Sequence, residues 1–339
     1  VTSELPPTLV IGDFTLPDNA IVDGDTLRVV GLDHTLRLLG IDTEETFKHK
    51  KERDAFAAGW DTYLTGQRGS SPRPVKMATP LGEEGKQFAA RFFSGVASVR
   101  LERDDPTEIR DRYGRYLAYV LVERQGTRVN YNVEAVRAGM TPYFVKYGAS
   151  RRFDAEFVAA QDEARAAKRG IWDPTKQHYP DYDERLAWWQ ARARFVAAFW
   201  REAQGRPEYV ILTQADAGQR LRALVGREAV VLSTVQRLDD KKDGPLLVGL
   251  ATGAKQDFEL VLRDRAVAAA AHLADFEGEF IRARGVITLY HRAKQDSDEP
   301  EMAIESAAQL VGSIASPRPA QAETSALPSD DPSAAPGAD

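Results

Sequence analysis

The residues that could carry chemistry crowd into one short stretch, residues 21–46, "IVDGDTLRVVGLDHTLRLLGIDTEET". Asp23, Asp25, Asp42, Glu44 and Glu45, together with Arg37, punctuate two otherwise apolar segments. Arg37 stands between Leu36 and Leu38, where its neighbours draw it toward a core, and a buried arginine needs anionic partners. Pairing the two segments as strands through the turn "GLDH" sets the "DGD" end of the first beside the "DTEE" end of the second. Asp25, Asp42 and Glu45 then converge, an arrangement tolerable only around a cation or around their own arginines. Taken singly, each acid also has a plain structural use, Asp23-Gly24 as a turn and Asp42-Thr43 as a cap.

A second fragment, "RDRYGRYLAYV" at residues 110–120, supplies Asp111-Arg112-Tyr113-Gly114 as a turn and Arg115 as the first residue of an apolar strand. Two forked cations near a carboxylate-held metal are what hydrolysis of a phosphodiester requires. The metal and the arginines offset charge growing on the phosphoryl oxygens, while a carboxylate orients or deprotonates water.

Composition narrows the alternatives. The chain has 339 residues and no cysteine, which excludes disulfides, thiolate catalysis and cysteine-held zinc. His34, His49, His178, His272 and His291 show no metal-ligating spacing, so a metal would be held by carboxylates and be a hard cation such as calcium, magnesium or manganese. The formal net charge of −6 argues little against a nucleic-acid partner, because several acids sit in the C-terminal tail. No apolar run approaches a membrane span, and the first 25 residues hold no apolar signal region. The chain opens on Val1, which fits a removed leader or an unusual start codon and leaves the compartment open.

The elements that must position these residues read as α+β. Strands are expected at "AIVDGDTLRVV", "HTLRLLGI", "SVRLER", "GRYLAYVLVE" and "TRVNY". Residues 48–81 read as a long loop with one short helix, and "GEEGKQFAARFFSG" as a helix burying Phe88, Phe92 and Phe93. Asn132 is the expected cap of "VEAVRAG", which Gly139 ends; in the segment 150–172, Phe153, Phe157, Ala160 and Ala164 predict another helix, which Gly170 stops. Residues 183–204 read as an aromatic-rich helix whose tryptophans cover a core rather than stack bases. The expected division is a first domain at 1–173, a helical linker at 174–218, a second domain at 219–313 and a disordered tail at 314–339. In the second domain, five strands with a helix between the third and fourth give the order of an OB-type barrel.

"VDGDTL", "RLLGIDTEET", "DRYGRYLAY" and "VRAGMTPYFVKY" together closely resemble the staphylococcal nuclease (thermonuclease) family, over residues 13–172. The resemblance implies an OB-like five-stranded barrel with three helices, followed here by a helical linker and a second OB-like barrel. It also implies a calcium-dependent endonuclease, a hydrolase that cuts DNA and RNA and leaves 3′-phosphate ends. By motif, Asp25, Asp42 and the Thr43 carbonyl resemble the calcium ligands. Glu45 resembles the residue that holds the attacking water, and Arg37 and Arg115 resemble the phosphate clamp. Arg112 and Tyr113 fall where the family contacts a terminal phosphate, Asp23 falls near the metal, and Tyr147, ahead of Tyr143, is the expected base-stacking tyrosine. Glu44 departs from the family's usual proline and is expected to add charge and flexibility beside Glu45. In the insertion, Lys48, Lys50, Lys51 and Arg53 are candidate substrate contacts. In the second domain, Arg282, Arg284, Tyr290, His291 and Arg292 are candidates for a nucleic-acid face.

The alternative reading is a non-catalytic nucleic-acid-binding or scaffold protein on tandem barrels, but each position of the constellation retains a competent residue. The expected partners are DNA and RNA, single strands preferred, with the protein monomeric, no membrane partner, and calcium tilting the location outside the cytoplasm.

Overall fold

The computed structural model describes residues 8–240, 244–253, 257–292 and 296–313, so the tail expected at 314–339 lies outside the described residues. Among the described residues the chain is mixed α and β, with two sheets of seven strands each and eight α-helices. None of these helices is long and apolar enough to cross a membrane.

The first sheet comprises β1 (Val10–Thr15), β2 (Ile21–Asp23), β3 (Thr26–Leu27), β4 (Leu36–Leu38), β5 (Ser98–Glu102), β6 (Tyr116–Arg124) and β7 (Thr127–Asn130). Their order is β1-β5-β6-β4-β3-β2, with β7 also on β6, and a backbone bond from Val30 to Thr15 draws the far edges together. β3 and β4 pair antiparallel with Thr26 opposite Arg37, and β4 pairs β6 in parallel with Arg37 opposite Leu117. Side chains alternate across a strand, so Leu36 and Leu38 turn into the core while Arg37 faces outward. The expected first strand at residues 20–30 is broken into β2 and β3 by the Asp23-Gly24-Asp25 turn. That turn packs on Thr43 so closely that a Cβ on Gly24 would come within 2.6 Å of Thr43 Cγ2.

Residues 48–81 are not the loop with one helix that their polarity suggests: they fold into α1 (Lys50–Ala57) and α2 (Trp60–Arg68). A capping box between His49 and Glu52 starts α1, and Phe47, Phe56, Trp60 and Tyr63 pack as an aromatic cluster on Met77, Leu81 and Tyr182. α3 (Pro80–Phe92) follows with Thr79 as its cap, then α4 (Tyr131–Arg137) and α5 (Asp154–Ala166) on the main core of Leu36, Leu101, Tyr119 and Phe157. The cap of α4 is Asn130, not Asn132. Asn132 is buried inside the helix, where its amide accepts from the Val120 N–H and donates to the Leu39 and Ala118 carbonyls, satisfying backbone groups at the β4–β6 junction.

α6 (Tyr182–Ala203) bridges to the second sheet, with Trp189 and Phe199 buried as its spacing predicts. β8 (Tyr209–Ile211) and α7 (Ala217–Ala223) precede β9 (Glu228–Asp240), β10 (Leu246–Leu250) and β11 (Phe258–Leu262); α8 (Arg265–Ala270), β12 (Phe280–Arg292), β13 (Ser297–Ala303) and β14 (Leu310–Gly312) complete it. The pairings β9–β10, β10–β11, β11–β13, β13–β12 and β12–β9 form a closed ring, parallel only at β11–β13, around Val231, Val248, Leu260, Ile281 and Met302. At the seam, the buried Arg192 of α6 pairs with the buried Glu279, which also accepts from Trp188 Nε1 at 2.7 Å.

Candidate active site

Asp25, at the end of the β2–β3 turn, and Asp42, four residues beyond β4, meet on Arg37. The guanidinium donates to both carboxylates, one nitrogen to each, and is only 12% exposed. Burial alone would lower the Arg37 pKa, but the two carboxylates outweigh it and raise it further. Burial pushes Asp25 upward, yet Arg37 and Lys76 hold its carboxyl well below the usual range. Asp23 lies outside this pairing: burial first, and then the Asp25 charge, push it up to about 6, and its Oδ1 is buried without a hydrogen-bond partner. Between the aspartates, the Thr43 N–H donates to Asp25 Oδ2 at 3.3 Å, and the Asp42 N–H donates to Thr141 Oγ1 at 3.0 Å.

Glu45 is the open carboxylate, 32% exposed, with Lys48 Nζ at 3.0 Å and Lys76 Nζ at 3.9 Å. Lys76 also reaches Asp42 at 2.6 Å, so the insertion brings a cation into the heart of the acidic cluster. The backbone of Glu45 is fixed as well. It receives the Thr79 N–H on its carbonyl and donates to the Met77 carbonyl, and α3 lies so close that a Cβ on Gly82 would come 2.0 Å from the Glu45 oxygen.

Glu44 does not bring the flexibility beside Glu45 that its replacement of proline leads one to expect. It is 1% exposed, and its carboxylate accepts from Thr79 Oγ1, the Tyr179 N–H at 2.7 Å and Tyr182 Oη at 2.7 Å. Burial raises its pKa against those three bonds. The residue therefore ties the active strand end to α3 and to the segment entering α6. Sequence reasoning missed it because its three partners lie 35 to 138 residues away.

Arg115 is not the first residue of the strand as expected but the last of the turn before β6, two residues ahead of Leu117, the partner of Arg37. Its guanidinium is held by Asp111 at 2.7 Å. Arg112 and Tyr113 project from the same turn; Tyr113 is 70% exposed, and the guanidinium carbons of Arg112 and Arg115 lie within 5.6 Å of its ring centre. Tyr147 is 62% exposed, next to Phe144 and Phe280, whereas Tyr143 is buried, stacked on Phe157 and bonded to Asp154. Of the insertion cations, Lys50 pairs with Asp54 and Arg53 donates to the Phe47 carbonyl, so Lys48 and Lys76 are the ones turned to the acids. The expected basic face of the second sheet is neutralised: Arg282 pairs with Glu202, Arg284 with Glu228, Arg292 with Glu259 and His291 with Asp298.

Asp25, Asp42 and the Thr43 carbonyl are hard oxygen donors, and the orphaned, buried oxygen of Asp23 adds an unmet demand for positive charge beside them. This donor chemistry fits a hard divalent cation. Among the described residues, however, no three acidic or histidine side chains group closely enough to hold a metal by themselves. Arg37 and Lys76 neutralise the aspartates here.

Residues 35–174 match the protein family described as staphylococcal nuclease homologue. An uncharacterized protein of Methanocaldococcus jannaschii is 30% identical over 155 residues, 45% of this chain and 69% of that protein. Thermonuclease of Staphylococcus hyicus is 28% identical over 154 residues, 45% of this chain and 72% of the enzyme. Endonuclease YncB of Bacillus subtilis is 26% identical over 154 residues, 44% of this chain and 58% of the enzyme. With the family match over the segment that builds the acidic cluster and its arginines, and with that identity across most of the archaeal relative, the chain belongs to the staphylococcal nuclease family.

Proposed function

We propose that the protein is a calcium-dependent endonuclease that hydrolyses phosphodiester bonds of DNA and RNA, single strands preferred, and leaves 3′-phosphate ends. The observation that carries this reading is the convergence of Asp25, Asp42 and Arg37 with the half-buried Glu45, which Lys76 links to Asp42, at one strand end. Thermonuclease and endonuclease relatives support the reaction class.

Asp25, Asp42 and the Thr43 carbonyl would hold the calcium ion, which supplies Lewis-acid stabilisation of the phosphoryl oxygens when bound. Glu45 takes the proton of the attacking water or orients it. Arg37 and Arg115 clamp the phosphate, and Arg115 favours departure of the 5′-oxygen as the P–O5′ bond breaks. Arg112, Tyr113 and Tyr147 contact the substrate, and the exposure of both tyrosines suits that role.

We assign residues 1–173 to the nuclease domain, 174–218 to the linker and 219–313 to a second domain. The ring order β9-β10-β11-β13-β12 with α8 between β11 and β12 supports an OB-type barrel there, and the Val30–Thr15 bond supports a barrel-like first sheet. The paired charges on the second barrel favour a packing role over nucleic-acid binding.

The test is digestion of single-stranded DNA and of RNA by the full chain in calcium, in EGTA, and by Glu45→Gln and Arg115→Ala in calcium. The expected result is calcium-dependent cleavage to 3′-phosphate ends, reduced by about 10²–10⁴ in the Glu45 variant. A wild type that binds both polymers without cutting them in any divalent cation overturns the proposal in favour of a binding protein.

A further inference from the structure

The seam between α6, the insertion and the second sheet carries more positive charge than its acids can balance. Arg73 and Lys76 come from the insertion, Lys146 from the segment before Tyr147, and Arg192 from α6. Arg73 and Arg192 share one carboxylate, Glu279, at 3.3 and 2.5 Å. Lys76 is taken up by Asp42. Among the described residues no carboxylate lies within ion-pair distance of Lys146, and Nη2 of the buried Arg192 has no hydrogen-bond partner.

Two of these cations, Lys146 and Arg73, lie on one aromatic ring. Lys146 Nζ lies 4.4 Å from the centre of the Trp188 ring and the Arg73 guanidinium 5.5 Å from it, while the ring N–H is pinned to Glu279. Burial first, and then the charge of Arg192, bring the Lys146 pKa down to about 8, as expected of an ammonium short of anions. Asp42 and Lys76 are also among the charges it feels, so the cluster is continuous with the acidic site. Trp188 thus packs on the main core as expected and carries cations on its ring besides.

Resting on the nuclease reading above, we propose that Lys146 and Arg73, both packed on Trp188, form a subsite for a further phosphate of the polynucleotide strand beyond the one being cut. The subsite recognises backbone charge and not base identity, so it makes the enzyme favour long strands over short ones. It also gives the insertion and α6 a direct part in substrate choice.

The test is binding of labelled oligodeoxythymidylates of about three and about twelve nucleotides by the full chain carrying Glu45→Gln, in calcium, across a salt series. Lys146→Gln and Arg73→Gln are compared in that background, with Lys146→Arg as the conservative variant and thermal melting as the check on folding. The expected result is a Kd for the long strand raised about tenfold, with the slope of log Kd against log salt reduced by about 0.7 per lost contact. The short strand should bind unchanged, and Lys146→Arg should restore the long one. Equal weakening at both lengths, or none at either, overturns the subsite while leaving the nuclease reading intact if the wild type still cuts the long strand. If the wild type neither binds nor cuts it, both fall.

Discussion

Removal of the Glu44 carboxylate is the sharpest probe of how the site is held. In Glu44→Ala three donors, Thr79 Oγ1, the Tyr179 N–H and Tyr182 Oη, are left facing a cavity in a region 1% exposed. Leaving a buried donor unsatisfied costs about 1–3 kcal/mol. Three of them amount to about 3–9 kcal/mol, a large share of the roughly 5–15 kcal/mol that a domain commonly has. The melting temperature should fall by about 10–20 °C. Glu44→Gln keeps an acceptor for Tyr179 and Tyr182 and loses mainly the Thr79 bond, so it should fall by only a few degrees. The two variants also differ in pH response. Glu44 keeps its proton in the folded state to a higher pH than in the unfolded chain, because burial raises its pKa. Over that window the folded form binds more protons, so this group's contribution to stability is present in acid and is lost as pH rises from the ordinary value of 4.5. Glu44→Gln removes that loss, and its melting temperature relative to wild type should improve from acid toward neutral pH. Scanning fluorimetry across pH, with strand cleavage assayed below every melt, measures both effects. A Glu44→Ala protein melting within about 2 °C of wild type, with full activity, would falsify the view that this carboxylate anchors the strand end.

Other outcomes follow from the same geometry. Arg37→Ala leaves the buried Asp25 and Asp42 facing each other, costing about 3–5 kcal/mol in EGTA, and calcium should recover more melting temperature for this variant than for wild type; equal calcium shifts in the two proteins count against a shared cation site. Burial and the Asp25 charge push Asp23 up to about 6, so at the proposed calcium site a proton would compete with the ion, calcium affinity by calorimetry should rise from pH 5 to pH 7, and Asp23→Asn should flatten the rise; without metal, the stability contributed by Asp23 should decline between about pH 4 and 6. Tyr147→Ala should raise KM with little change in melting temperature, while Tyr143→Phe, which strips a buried hydroxyl from Asp154 and the Ser150 N–H, should do the reverse.

The acidic site was legible in the sequence because its parts are local. Asp25, Arg37 and Asp42 are gathered by one short antiparallel pairing, and the "GLDH" turn is enough to predict their meeting. Strand periodicity likewise gave β5, β6 and most of the second sheet, where alternation is regular. What escaped was set by distant partners. Residues 48–81 look like a loop because their apolar side, Phe56, Trp60, Tyr63, Met77 and Leu81, closes on itself and on Phe47, Tyr179 and Tyr182, not on a neighbouring strand. Asn132 looks like a cap, yet the carbonyls it satisfies belong to Leu39 and Ala118. The basic residues of β12 look like a nucleic-acid face until Glu202, Glu228 and Glu259 arrive from other elements to neutralise them.

The same long-range pairing explains how so much charge can sit at a strand end. A buried charge is tolerable when partners reach it from several directions, and here each direction is a separate piece of chain. Arg37 balances Asp25 and Asp42 from within the first sheet, and Lys76 adds to Asp42 from the insertion. Thr79 and Tyr182 then fix Glu44 from α3 and α6, beside the one carboxylate left open, Glu45. Deleting the insertion would therefore do more than shorten a surface excursion. It would strip Asp42 of one cation, free the backbone of Glu45 from Met77 and Thr79, and remove Arg73 from Glu279. A chain from which only the insertion is deleted should in consequence lose activity before it loses its fold, because the main core of Leu36, Leu101 and Phe157 draws on none of those contacts.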